Sequence, residues 1–121
     1  MKIVTVLALF GLLATAATDE SRAFLELRAD DALTTITAKF TNAGTDEVRY
    51  DYLLTVTKRG RSGEASSAQG GRFSAAAGRT VTLSTSAMNF APTDAIELKL
   101  EVLNADDKVL YEDVWQRAPE K

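Results

Sequence analysis

The chain has 121 residues, 26% of them charged, and a formal net charge of −3. It contains neither cysteine nor histidine, which excludes Cys and His nucleophiles, Ser-His-Asp triads and zinc sites built from Cys or His. Only carboxylate, Ser/Lys or all-oxygen metal chemistry is left, and the acidic balance offers little to the phosphates of a nucleic acid.

The N-terminus carries the first readable element. Lys2 precedes an apolar run from Ile3 to Leu13, and Ala14-Thr15-Ala16 has the small-x-small form that signal peptidase reads. The run falls short of the ~20 apolar residues of a membrane span. Residues 1–16 are therefore expected to be a cleaved secretory signal, and residues 17–121 a single exported domain; the alternative is a buried N-terminal strand or helix. Cleavage would remove one cation and no anion, leaving the domain one unit more acidic. No later segment is apolar enough for a span, so the mature domain is expected to be soluble. Without disulfides, its stability has to come from the core alone.

The remainder reads as strands. Phe24, Leu25 and Leu27 fall in a short first strand that ends at the turn-prone pair Asp30-Asp31. Leu33 to Phe40 alternates at its end, with Ile36, Ala38 and Phe40 on one face, and Asn42-Ala43-Gly44-Thr45 is a turn. In the most hydrophobic stretch, Val48 to Thr57, the side chains of Tyr50, Tyr52, Leu54 and Val56 share a face. Gly60 to Gly71 is dominated by Gly, Ser and Ala, and Arg72-Phe73-Ser74 reads as a short edge strand. Thr80 to Ala87 turns Val81 and Leu83 inward, with Pro92 beyond it. From Ala95 to Val102, Ile96, Leu98, Leu100 and Val102 alternate with Glu97, Lys99 and Glu101, the period-two signature of a strand with one dry face. After the turn at Asn104-Ala105-Asp106-Asp107, the last strand places Val109, Tyr111 and Trp115 on one face, with Leu110 and Val114 on the other. About seven short strands with turns between them predict an all-β, immunoglobulin-like or fibronectin-like antiparallel sandwich.

Charge singles out one segment. Lys58, Arg59, Arg61, Arg72 and Arg79 stand against Glu64 alone, in an otherwise acidic chain. Gathered by a hairpin, they would form one positive patch for an acidic partner; the competing reading is a solvated surface whose cations blunt strand edges. Within the same segment Ser62, Gly63, Ser66, Ser67 and Gln69 offer small size and hydrogen bonds to an extended peptide, or simply form a flexible loop or weak edge strand. Asn104, Asp106 and Asp107 lack the spacing of a calcium loop and read as a turn. The aromatics Tyr50, Tyr52, Tyr111 and Trp115 read as core.

The run Leu53-Leu54-Thr55-Val56-Thr57-Lys58-Arg59-Gly60-Arg61-Ser62-Gly63, continuing through Ser66, Ser67, Gln69 and Gly71 to Phe73 and Ala77-Gly78, resembles the CsgH family of curli-type amyloid assembly chaperones related to CsgC. The resemblance covers essentially the whole chain after the signal. It implies a periplasmic, immunoglobulin-like sandwich, monomeric and without a cofactor, that transiently binds a curlin-type amyloid subunit and keeps it from polymerising before export. The ten residues Lys58, Arg59, Arg61, Ser62, Gly63, Ser66, Ser67, Gln69, Arg72 and Arg79 are the candidate client-binding set. CsgC-type relatives carry a Cys-x-Cys pair; this chain has none, so any such action proceeds without thiol chemistry. A structural or adhesive module of a surface fibre is the alternative function, and an enzyme finds no motif to support it.

Overall fold

The computed structural model describes residues 20–31, 33–61 and 63–119. The expected signal segment and Ser62 lie outside the described residues. Seven strands follow one another: β1 (Arg22–Asp30), β2 (Leu33–Thr41), β3 (Val48–Gly60), β4 (Gly63–Ala75), β5 (Thr80–Asn89), β6 (Ala95–Leu103) and β7 (Val109–Arg117). They form two antiparallel sheets, ordered β1-β2-β5 and β4-β3-β6-β7, so the chain is an all-β sandwich as its alternation predicts. In the constant-type antibody arrangement the fourth strand belongs with the first, second and fifth; here it stays beside β3.

The core follows from the pleat. Ile36, Ala38 and Phe40 of β2 face Leu54 and Val56 of β3 and Ile96, Leu98, Leu100 and Val102 of β6, all of them buried. At one end of the sandwich the core is aromatic, with the Phe40 ring meeting Tyr111 at 5.2 Å, Phe73 at 5.5 Å and Tyr50 at 5.9 Å. The tilted and edge-on ring geometries are those that aromatic quadrupoles favour.

The last strand departs from the expected pattern. A register irregularity between Val102 and Leu103 sets Val109 opposite Leu103, which moves Val109 to the outer face, 42% exposed, while Tyr111 and Trp115 pack on the core. One extra residue in a strand exchanges the faces on either side of it. In β1, Ala23, Leu25 and Leu27 face the core, and Phe24 turns outward beneath the Arg22 guanidinium, 4.2 Å from its ring centre.

The two flanks of the sandwich differ. On one, β1 and β7 meet, and the Leu25 N–H donates to Asp113 Oδ2 at 2.8 Å, which occupies an edge donor of β1. On the other, β4 and β5 barely touch, leaving two strand edges open with a gap between the sheets.

Candidate binding site

The Gly/Ser segment is neither a loop nor a short edge strand. From Gly63 to Ala75 it is one continuous strand of 13 residues, paired without interruption to β3 from Gly60↔Gly63 through Val48↔Ala75. Its own composition is poor for a strand. What extends it is its partner, whose buried Leu54 and Val56 fix β3 and present a full row of backbone donors and acceptors. The tight reversal after Gly60 is helped by Gly63, whose φ of 123° suits glycine alone.

Register sorts the side chains of β4. Ala65, Ser67, Gln69, Gly71, Phe73 and Ala75 lie opposite the inward residues of β3, and Glu64, Ser66, Ala68, Gly70 and Arg72 opposite its outward ones. Only Phe73 and Ala75 are covered; residues 63–72 are exposed on both faces. The strand therefore overhangs the opposing sheet. Beneath the overhang a groove of about 340 Å³ opens, lined by Val56, Lys58, Ser67, Met88 and Phe90 among others.

The five cations do not form one patch. A 13-residue strand spans roughly 40 Å at ~3.3 Å per residue, and β4 separates Lys58, Arg59 and Arg61 at the hairpin end from Arg79 beyond Ala75. Arg72 lies opposite Asp51 and Arg59 opposite Glu64, so these two sit roughly 26 Å apart along the ladder. Such distances exceed the ~8 Å screening length of physiological salt several-fold. Moreover, Arg59 pairs with Glu64 at 3.3 Å and Arg72 with Asp51 at 3.4 Å. Among the described residues no carboxylate lies within ion-pair range of Lys58 or Arg61. Those two, one at the groove and one at the hairpin tip, are the free positive charge of the site.

The polar members separate likewise. Ser66 faces outward and shares a 3.0 Å hydrogen bond with Thr57, while Ser67 borders the groove and Gln69 faces inward. Ser67 and Gln69, with Lys58, are thus the candidate residues brought to one surface. Sequence reasoning missed the β5 side of this groove, Met88 and Asn89, together with Phe90 just after it, because nothing local signals which strand borders an open flank.

Gly70 explains how closely β4 follows β3. A Cβ there would lie 2.5 Å from the Tyr52 carbonyl oxygen, whereas at Gly71 it would meet the Tyr52 ring at an ordinary 3.6 Å. Gly70→Ala is expected to push β4 off its partner and to speed amide exchange across Gly63–Phe73 tenfold or more, with Gly71→Ala close to wild type. Equal exchange in the two variants would show that β4 is not held at Tyr52.

Elsewhere the turn reading of Asn104 holds: its Oδ1 accepts the N–H groups of Asp106 at 2.9 Å and Lys108 at 3.0 Å. Among the described residues no three acidic side chains converge as a metal site would require.

Solved structures share this architecture. The fold is similar to that of the E. coli curli protein CsgC, with a TM-score of 0.66 at 18% identity, covering 79% of this chain and 98% of that one. It is also similar to CsgH of R. palustris in solution, with a TM-score of 0.58 at 20% identity over 83% and 93% of the two chains. A weaker likeness, TM-score 0.53 at 11% identity, covers 79% of this chain and only 13% of a calcium binding mutant of Bacteroides uniformis beta-glucuronidase 2. No curated protein matches the sequence. The family model described as CsgH protein matches residues 24–113, from the first strand into the last, and the chain belongs to the CsgH family.

Proposed function

We propose that the protein is a periplasmic chaperone that delays polymerisation of a curli-type amyloid subunit by weak, transient, non-covalent binding. The observation that carries this reading is the open flank, where ten consecutive residues of β4, 63–72, are exposed on both faces beside the unpaired Lys58 and Arg61. An amyloid subunit offers strand edges that template cross-β growth. A strand edge with small side chains accepts such a segment through backbone hydrogen bonds, because no bulky residue blocks its approach. Two free cations at one end attract acidic segments without fixing them. The name of the structurally similar curli protein CsgC supports the same setting.

The test is thioflavin fluorescence of a curlin-type subunit with substoichiometric protein. Wild type is expected to lengthen the lag phase severalfold, and the triple variant K58A/R59A/R61A to lose most of that delay. No delay by wild type would sink the chaperone reading; full delay by the triple variant would eliminate the role of the cations. Stable one-to-one comigration with the subunit would favour a fibre component instead.

A further inference from the structure

Edge strands are usually blunted by proline, by a bulge or by an inward-pointing charge. None of these interrupts β4: its pairing with β3 is regular, it contains no proline, and its charges, Glu64 and Arg72, both lie on the outer face. Between them stand only Ala65, Ser66, Ser67, Ala68, Gln69, Gly70 and Gly71. Glu64 and Arg72 are each four residues from Ala68, on opposite sides of it.

We infer that β4 pairs with β4 of a second copy of this chain, antiparallel about a two-fold axis at Ala68. In that register Glu64 of each copy lies opposite Arg72 of the other. The pleat admits only registers centred on a residue, since outward side chains must face outward side chains. Among these, only the one centred on Ala68 joins the two unlike charges; centres at Glu64 or at Arg72 set like against like. The intramolecular pairs strengthen the match. Arg72 already touches Asp51 at 3.4 Å and Arg59 touches Glu64 at 3.3 Å. Each outer rung across the joined sheets would therefore run Asp51, Arg72, then Glu64 and Arg59 of the second copy, alternating in sign over four strands. At the centre Ala68 meets itself, flanked by Ser66 opposite Gly70, so no side chain obstructs the approach. The interface is isologous and closes at two copies. Its small side chains bury less than a standard interface, which makes the dimer weak and concentration-dependent.

Self-pairing needs no client; it follows from Glu64 and Arg72 of β4 and their β3 partners Arg59 and Asp51. It does have a consequence for the proposed function, because self-pairing covers the edge offered to an amyloid segment.

The chain has no cysteine, so Ala68→Cys creates a single thiol placed on the symmetry axis. Directly opposed Cβ atoms on antiparallel strands lie ~4.5–5.5 Å apart, near the reach of a disulfide. Under mild copper-phenanthroline oxidation A68C is expected to form a disulfide dimer at least tenfold faster than S74C, which is on the same strand face but away from the axis. Adding R72E to A68C is expected to slow cross-linking about tenfold, and adding E64R as well to restore most of the rate; near-ultraviolet circular dichroism checks folding in each case. Cross-linking of A68C no faster than S74C overturns the proposal, as does a rate indifferent to R72E. Protection of β4 amides by an amyloid-type subunit, with A68C remaining monomeric, would assign the edge to the client and overturn self-pairing. Loss of thioflavin inhibition with A68C cross-linking intact would strike the chaperone reading and leave the dimer standing.

Discussion

Phe40→Ala is expected to cost about 4 kcal/mol, the middle of the range for emptying a fully buried phenylalanine site. Phe40 has no exposed surface and sits on β2 against one ring from each of three other strands, Tyr50, Phe73 and Tyr111. The cavity cannot collapse cheaply, because Tyr50 and Phe73 are held opposite each other in the β3–β4 ladder and Tyr111 is held on β7 by its pairing with β6. A loss of this size is a large share of the ~5–15 kcal/mol of a small domain, equivalent to a fall in Tm of roughly 15–30 °C at this length. The effect should reach the binding site as well. Phe73 and Ala75 are the covered residues of β4, and Phe40 is the ring that Phe73 packs on across the sandwich. Urea unfolding followed by the fluorescence of Trp115, the single tryptophan, measures the loss. Phe40→Leu keeps most of the volume and is expected to cost less than half as much. A loss below about 1 kcal/mol for the alanine variant would mean that the aromatic end does not hold the sheets together.

How much of this was legible in the sequence depends on where the signal resides. β6 announces itself, because Ile96, Leu98, Leu100 and Val102 are buried by their own alternation. β3 does the same through Tyr50 to Val56, and Tyr50, Tyr52, Tyr111 and Trp115 pack on the core as their spacing predicts. β4 does not: its thirteen residues are ordered by the backbone of β3, and no propensity in Ser-Ser-Ala-Gln-Gly-Gly reports that. Alternation alone puts Val109 on the face of Tyr111, and the register shift beside Leu103 reverses it, because a bulge is a property of a pair of strands. The cations close in sequence were separated for a similar reason, since a long hairpin moves neighbours such as Arg61 and Arg72 apart along its axis. A resemblance carried on residues 53–78 nonetheless pointed to the family that the match over residues 24–113 establishes. The ion pairs of Arg59 and Arg72, and hence which charges are free, needed the register.

Asn42→Ala is expected to cost about 3 kcal/mol, although its position reads in the sequence only as a turn. The residue is 1% exposed, and buried amides need partners. Its Nδ2 donates to the carbonyl oxygens of Asp46 at 2.8 Å and Ala75 at 2.9 Å, and its Oδ1 accepts the Gly44 N–H at 2.9 Å. Its backbone accepts from the Gly78 N–H at 2.8 Å and donates to the Arg79 carbonyl at 2.9 Å. One residue at the end of β2 thus ties together the β2–β3 turn, the end of β4 and the β4–β5 connection, which lie on both sheets. Alanine removes three side-chain bonds worth ~1 kcal/mol each and leaves the Ala75 carbonyl short of a partner. Asn42→Asp tests the same account from the other side: it retains an acceptor for the Gly44 N–H but turns an oxygen toward two carbonyl oxygens. It is expected to be at least as damaging as alanine, despite being nearly isosteric. With a urea m-value near 2 kcal/mol/M, the alanine variant should lower the midpoint by roughly 1.5 M. The 76–79 connection should then become a site of limited proteolysis, since the residue 42 backbone that binds Gly78 and Arg79 is no longer anchored through its side chain to Asp46 and Ala75. A midpoint within about 0.3 M of wild type, or an aspartate variant that is neutral, would show that the amide does not hold this end. The two open edges of β4 and β5 would then have to be aligned by the core alone.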